Sequence, residues 1–347
     1  LAAIPPLFCP IPSALHPAHE EVGKTTELWL DAMGFTGDAE RRRRLLAIGA
    51  HEFVCRIAKD AEGITGLELV SQWLCSMLML DDEWDTGRLS RDPSRVLTIA
   101  ATLLAVINST PSHPEESDIY VASVRDVFRR ARDWAPAVAV KRWADSQLES
   151  FMGAATVAAY RSQGRTMSMS EYLTIGPLDR GSRSCIEIIE VCERTAVPQS
   201  QLDSPRVHAL TEAAKFLVLI SADVYSYSRE DSQGDLDSNI VHPLERHMGC
   251  KRDQALIEAA ALHDRTMCLF LRLADRTSRR AGPELRRYIE QLSNLVSGNL
   301  EWGLTSARYT THVPGVAPVA ERAERPADGR LTPPPYPEIA WWWEQLW

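Results

Sequence analysis

The chain has 347 residues, 45% of them hydrophobic and 24% charged, with a formal net charge of −9. That length supports one large domain or two ordinary ones around a substantial core. The acidic balance argues against a nucleic-acid binder, which needs clustered basic residues, and no apolar run reaches the roughly 18 residues of a membrane span.

The first 17 residues, LAAIPPLFCPIPSALHP, are broken by proline and lack a basic stretch, so they read as an entry segment and make a poor signal peptide. Amphipathic patterns of helical period then follow one another, and no alternating strand pattern interrupts them. They predict helices over 18–33, 40–60, 65–85, 94–109, 117–133, 136–163, 181–195, 204–231, 253–279 and 282–312. The breaks GRLSRDPS (87–94), STPSHPEES (109–117) and VPQSQLDSP (197–205) carry the residues that stop and cap helices. The run of four arginines at 41–44 reads as a solvated helix start.

An all-α domain over 18–313 is therefore expected, followed by a proline-rich tail over 314–347. The tail ends in WWWEQLW, and its aromatics are read either as docked on the chain's own surface or a neighbour's, or as a partner-binding motif. Seven cysteines (Cys9, Cys55, Cys75, Cys185, Cys192, Cys250 and Cys268) form no CxxC pair and no zinc-like spacing. An odd, scattered set fits a reducing cytoplasm better than a disulfide framework.

Two stretches carry chemistry. LELVSQWLCSMLMLDDEWD (67–85) is an apolar helix ending in carboxylates, with Asp81 and Asp85 four residues apart on one face and Asp82 beside them. Such a cluster alone is commonly a solvated helix end, but the apolar helix before it would carry the acids to the rim of a buried cavity. Oxygen ligands of this kind suit Mg²⁺, usually held by one or two carboxylates together with phosphate and water. The second stretch, ADVYSYSRE (222–230), repeats the design about 140 residues later. Ser226 and Glu230 share a face, Arg229 supplies a fixed positive charge, and Ala222 stands where a third ligand would.

These motifs resemble those of the bacterial class I terpene synthases. DDEWD is similar to that family's aspartate-rich motif, and ADVYSYSRE to its NDxxSxxxE motif, with Ser226 and Glu230 at the second and third ligand positions and Arg229 at its basic position. SARYTT (306–311) supplies Arg308 and Tyr309, which match the family's diphosphate-contacting Arg-Tyr pair, with Trp302 upstream. The resemblance covers roughly residues 5–313 and implies an all-helical bundle around an apolar cavity.

It implies Asp81, Asp82, Asp85, Ser226 and Glu230 as ligands of Mg²⁺, with Asp81, Arg229, Arg308 and Tyr309 as the catalytic set acting on a prenyl diphosphate. The cavity walls are expected from Trp73, Met77, Trp84, Phe151, Phe216 and Trp302, although core packing is the ordinary role of each aromatic taken singly. Two departures stand out. Ala222 replaces an Asn or Asp ligand, and Gly176 falls where the family's diphosphate-sensing arginine is expected in YLxxR. Asp179 matches the acidic residue that follows, and Arg180 and Arg183 are nearby substitutes, with Asp179 and Arg180 entering the substrate-binding set.

The reading is thus a Mg²⁺-dependent terpene cyclase. One alternative is a related protein with weak or lost cyclase activity that binds a diphosphate or takes a modified substrate. Another is a helical interaction protein in which the tryptophan tail does the work. A homodimer is left open.

Overall fold

The computed structural model describes residues 3–37, 39–86, 89–109, 118–233, 236–310 and 322–347. Its helices are α1 (His19–Ala32), α2 (Ala39–Ile48), α3 (Ala50–Ile57), α4 (Thr65–Thr86), α5 (Pro93–Asn108), α6 (Ile119–Trp134), α7 (Ala137–Ser162) and α8 (Met169–Asp179). They continue with α9 (Ser182–Glu193), α10 (Gln199–Leu202), α11 (Pro205–Gln233), α12 (Val241–Met248), α13 (Arg252–Ser278), α14 (Pro283–Thr305), α15 (Ala307–Thr310) and α16 (Pro337–Glu344). Among the described residues there is no β-strand, only one isolated bridge between Phe8 and Ala323.

Capping chemistry sets several starts. Asp92 caps α5 with Pro93 at its first position, Asp118 caps α6, and Ser168 with Glu171 forms a capping box on α8. The expected 40–60 helix is two helices, because Gly49 adopts φ +65°, a left-handed conformation that glycine tolerates without a Cβ penalty. The expected 282–312 helix breaks at Ser306, whose extended backbone ends α14 and whose hydroxyl donates to the Ile48 carbonyl at 2.9 Å. Residues 311 and 312 of that expectation, residues 110–117 and the tail up to 321 lie outside the described residues.

α11 is the axis of the bundle. It packs against α13 and α14 and also touches α8, α9 and α16. That position suits its sequence, since Phe216, Leu217, Leu219 and Ile220 are consecutive or nearly so and all are buried. Residues 322–347 pack onto the same bundle. Arg322 bonds the Cys9 and Ile11 carbonyls and Glu301, Arg265 holds the Thr332 and Pro333 carbonyls, and Trp342 and Trp343 of α16 are buried. Trp342 meets Phe216 edge to face at 5.5 Å, while Trp347 is 90% exposed. All seven cysteines are free thiols. Among the described residues no helix is long and apolar enough to cross a membrane.

Candidate active site

On α4, Trp73, Met77, Asp81 and Trp84 follow at steps of four, four and three, so they share one helix face. That face lines a cavity closed by Phe151 of α7, Val218 and Ala222 of α11, and Trp302 of α14. The volume open to the centre of a water molecule is about 190 Å³. This is more than ten times the roughly 10–15 Å³ that one ordered water needs, so it is a ligand cavity and not a packing gap. Its aromatic lining is ordered by ring contacts: Trp84 meets Phe151 edge to face at 5.7 Å, and Trp302 bridges Phe53 and Tyr309 at 5.2 and 5.3 Å.

Charges gather at one end. On the first wall, Asp81 lines the cavity 3.8 Å from Arg308, and its side chain is 40% exposed. Burial of the wall, followed by the charge of Asp85, pushes the Asp81 carboxyl well above its usual pKa. Asp82 accepts from Arg308 at 3.0 Å and lies 3.8 Å from Arg229, whereas Asp85 is held by Arg161 at 3.0 Å. Neither Asp82 nor Asp85 lines the cavity. The i, i+4 spacing thus brings Asp81 to the cavity, while Asp85 is turned to a buried arginine on α7.

On the second wall, Ser226, Arg229 and Glu230 reach the cavity together with Ala222. Glu230 is already engaged. Its Oε2 accepts from Asn239 Nδ2 at 2.8 Å, and its Oε1 lies 3.4 Å from Arg180 and 3.7 Å from Arg229. Ala222 offers a methyl group. Asn239, which sequence reading missed, comes from the segment between α11 and α12 and carried no periodic signal.

The end of α8 decides the fate of the two arginines named as substitutes. Arg180 lines the cavity and binds Asp223 at 3.0 Å as well as Glu230. Arg183 turns away to Glu149 and Glu187 and does not line the cavity. Position 176 does not line it either: a Cβ there would stand 3.3 Å from Leu219 of α11. Close approach of α7 holds the α8 end in place, since a Cβ on Gly153 would lie 2.3 Å from the Asp179 amide nitrogen.

Asp223 anchors the arrangement. Burial draws its pKa up to about 6 against the opposing charge of Arg180. Yet its oxygens accept from Arg180, from the Tyr172 hydroxyl at 2.6 Å and from the Ile240 amide at 2.7 Å. With donors on both oxygens there is no place for a proton, so this geometry holds the carboxylate. Burial pushes Asp179, which also lines the cavity, up to about 7. Burial opposes the charge of Arg308, but Asp82, Tyr309 and Asp81 together outweigh it and its pKa is raised.

Phe216 is the cavity candidate that the structure moves elsewhere. It is buried on the face of α11 that meets Trp342 of α16, outside the cavity. Trp73, Met77, Trp84, Phe151, Trp302 and Tyr309 all line the cavity.

Among the described residues no group of three or more His, Cys, Asp or Glu side chains converges on one point. A hard cation that shares its shell with phosphate needs only one or two protein carboxylates. Asp81 meets that need, because among the described residues its one ion-pair contact is the long one to Arg308. The first wall therefore fits such an ion, and the second, with Ala222 and a bonded Glu230, fits it less fully.

An all-helical bundle around an apolar cavity with acids and arginines at one end defines a class I terpene synthase. The family model described as terpene synthase family 2, C-terminal metal binding, matches residues 72–268. That is more than half of the chain, which belongs to this family and is an enzyme of the class I terpene synthase type, a terpene cyclase. Spiroviolene synthase of Streptomyces violens is 29% identical over 347 residues, covering 98% of this chain and 96% of that one. The (+)-(1(10)E,4E,6S,7R)-germacradien-6-ol synthase of Streptomyces pratensis is 29% identical over 348 residues, covering 99% and 97%. The crystal structure of the SVS_A2 protein from ancestral sequence reconstruction aligns with a TM-score of 0.88 at 30% identity, covering 99% of both chains.

Proposed function

We propose that this cyclase is Mg²⁺-dependent, ionises a linear prenyl diphosphate and cyclises the resulting carbocation. The observation that carries this reading is the division of the cavity: aromatic and aliphatic walls along its depth, with Asp81, Arg180, Arg229 and Arg308 at one end. A greasy chain with an anionic head is the ligand that suits both halves. Asp81 would hold the ion, with Ser226 and Glu230 as the weaker set opposite. Bound there, the ion supplies Lewis-acid stabilisation of charge on the departing diphosphate.

The chain's own residues do the rest. Arg308 and Arg229 present guanidinium groups to phosphate oxygens, and Tyr309 offers a hydroxyl from the same short helix as Arg308. Arg180 takes the part of the missing arginine at position 176 from the turn four residues later. Its link to Asp223 and Glu230 keeps it at the cavity before any ligand arrives. The aromatic walls exclude water and present ring faces to the cation.

Incubation with Mg²⁺ and linear prenyl diphosphates from C10 to C25, with and without chelator, tests this by product analysis. Cyclic products that vanish with chelator are expected. The engaged Glu230 and the gap at Ala222 favour a second reading, a slow or non-turning diphosphate binder. Pyrophosphate and Mg²⁺ affinity without products would select it.

A further inference from the structure

Two side-chain amides interrupt the cavity lining, Gln147 of α7 and Asn299 of α14, at 1% and 6% exposure. An amide sunk among rings and methyl groups is costly unless its polar ends are met. In both residues the nitrogen end is met by protein. Gln147 Nε2 donates to the Trp143 carbonyl at 3.1 Å and to Ser184 Oγ at 3.0 Å. A backbone carbonyl only accepts, so the nitrogen must stand on that side. Asn299 Nδ2 donates to Ser221 Oγ at 2.7 Å, and Ser221 donates its own proton to the Leu217 carbonyl at 2.7 Å. The serine therefore has only a lone pair to offer, and this amide is also fixed.

Neither carbonyl oxygen has a hydrogen-bond partner among the described residues. Neither is sealed inside packed protein. Each residue thus contributes a fixed acceptor to the cavity wall. Diphosphate has no use for an acceptor, and an uncharged hydrocarbon gains nothing from one. A positively charged carbon does.

We propose that Gln147 and Asn299 are specificity-determining residues whose carbonyl oxygens stabilise positive charge at set positions along the bound hydrocarbon. This rests on the prenyl diphosphate reading. Ring faces of Trp73, Trp84 and Phe151 attract a cation over a broad area, whereas a carbonyl dipole held by its own amide nitrogen acts at one place. Held before the charge forms, it needs no reorganisation when the charge arrives. Where the cation halts, and hence which ring closes, then depends on two oxygens from two helices.

The test is calorimetric binding of a prenyl-chain tertiary amine, protonated at the assay pH, against its uncharged carbon isostere, each with inorganic pyrophosphate and Mg²⁺. The unmodified protein is expected to prefer the amine by about tenfold or more, and Asn299→Leu or Gln147→Met to lower that ratio by about three- to tenfold each. Asn299→Asp keeps an oxygen but loses the NH₂ donors, and is expected to retain the preference. A ratio unchanged in both apolar variants, with melting temperatures showing them folded, overturns the proposal. So does a ratio lost equally in Asn299→Asp, which would mark the amide as a helix tie. Absence of turnover with the amine preference intact overturns the ionisation step of that reading and supports the two oxygens as cation sites in the same ligand cavity; turnover with a flat ratio overturns the cation sites and supports the reading.

Discussion

The two walls of the cavity mouth are built by one local device, a helix that runs apolar and then turns acidic, and they leave different chemistry available. At the end of α4, Asp81 stands 3.8 Å from Arg308, its nearest cationic partner among the described residues, and lines the cavity. At the end of α11, Glu230 is held by Asn239 on one oxygen and approached by Arg180 and Arg229 on the other. The first wall offers a free carboxylate to a cation. The second offers fixed guanidinium groups to phosphate, with its acid already spent in holding them. A motif counts carboxylates, but binding depends on which lone pairs remain unshared.

The contrast is open to direct attack. Asp81→Asn removes the free acid and is expected to lower kcat/KM by about 10² to 10³ while leaving the helical circular dichroism unchanged. A loss below tenfold would break the comparison. Arg180→Gln is expected to lower kcat/KM by about 10² and to weaken inorganic pyrophosphate binding, whereas Arg183→Gln stays within about twofold. Equal effects from the two arginines would mean that lining the cavity is not what matters. Gly153→Ala forces a Cβ into the Asp179 backbone. Denaturant unfolding should show a loss of about 1–3 kcal/mol, and activity should fall as Arg180 shifts.

Glu187 is a buried carboxylate outside both walls, and burial, then Glu190, pushes its pKa up to about 7 against Arg183. The unfolded chain releases this proton near the ordinary 4.5. Between those values the native state holds a proton that the unfolded state lacks, so stability falls as pH rises through that window and stays reduced above it. Glu187→Gln should flatten that fall, making the variant more stable than the parent at pH 8 by about 2 kcal/mol and near neutral at pH 4. The smallest effect is expected from Ala222→Asn, which returns an oxygen to the second wall. The Mg²⁺ concentration for half-maximal activity should fall by about three- to tenfold. No change would show that Glu230 is too firmly held to share an ion.

Much of the bundle was legible because apolar residues recur at helical period along most of the chain. What was missed has local causes. α8 contains Gly176 and Pro177, both poor interior helix residues, and is held by its capping box and its packing. α12 and α16 are eight residues each, too short for a period to stand out. The site divides in the same way. Asp81, Trp73, Met77 and Trp84 were readable because a single helix face joins them. Phe216 was misplaced because periodicity marks a face as buried without saying whether a cavity or the tryptophan helix covers it. Arg180 and Arg183 are three residues apart, and acids on other elements separate them: Asp223 and Glu230 of α11 bind the first, Glu149 of α7 and Glu187 of α9 the second. Asn239, Gln147 and Asn299 gave no signal, since a lone amide in an apolar pattern acquires its role from partners far along the chain.

By itself the sequence determined an all-helical chain in which two apolar helices end in acids about 140 residues apart, because helical period and i, i+4 spacing are properties of one segment at a time. Tertiary structure alone decided which of those acids stays free, which arginine reaches the cavity and which amide oxygens face the substrate space. Those outcomes depend on hydrogen-bond partners from other helices, and a donor or acceptor spent on one partner is unavailable to the next.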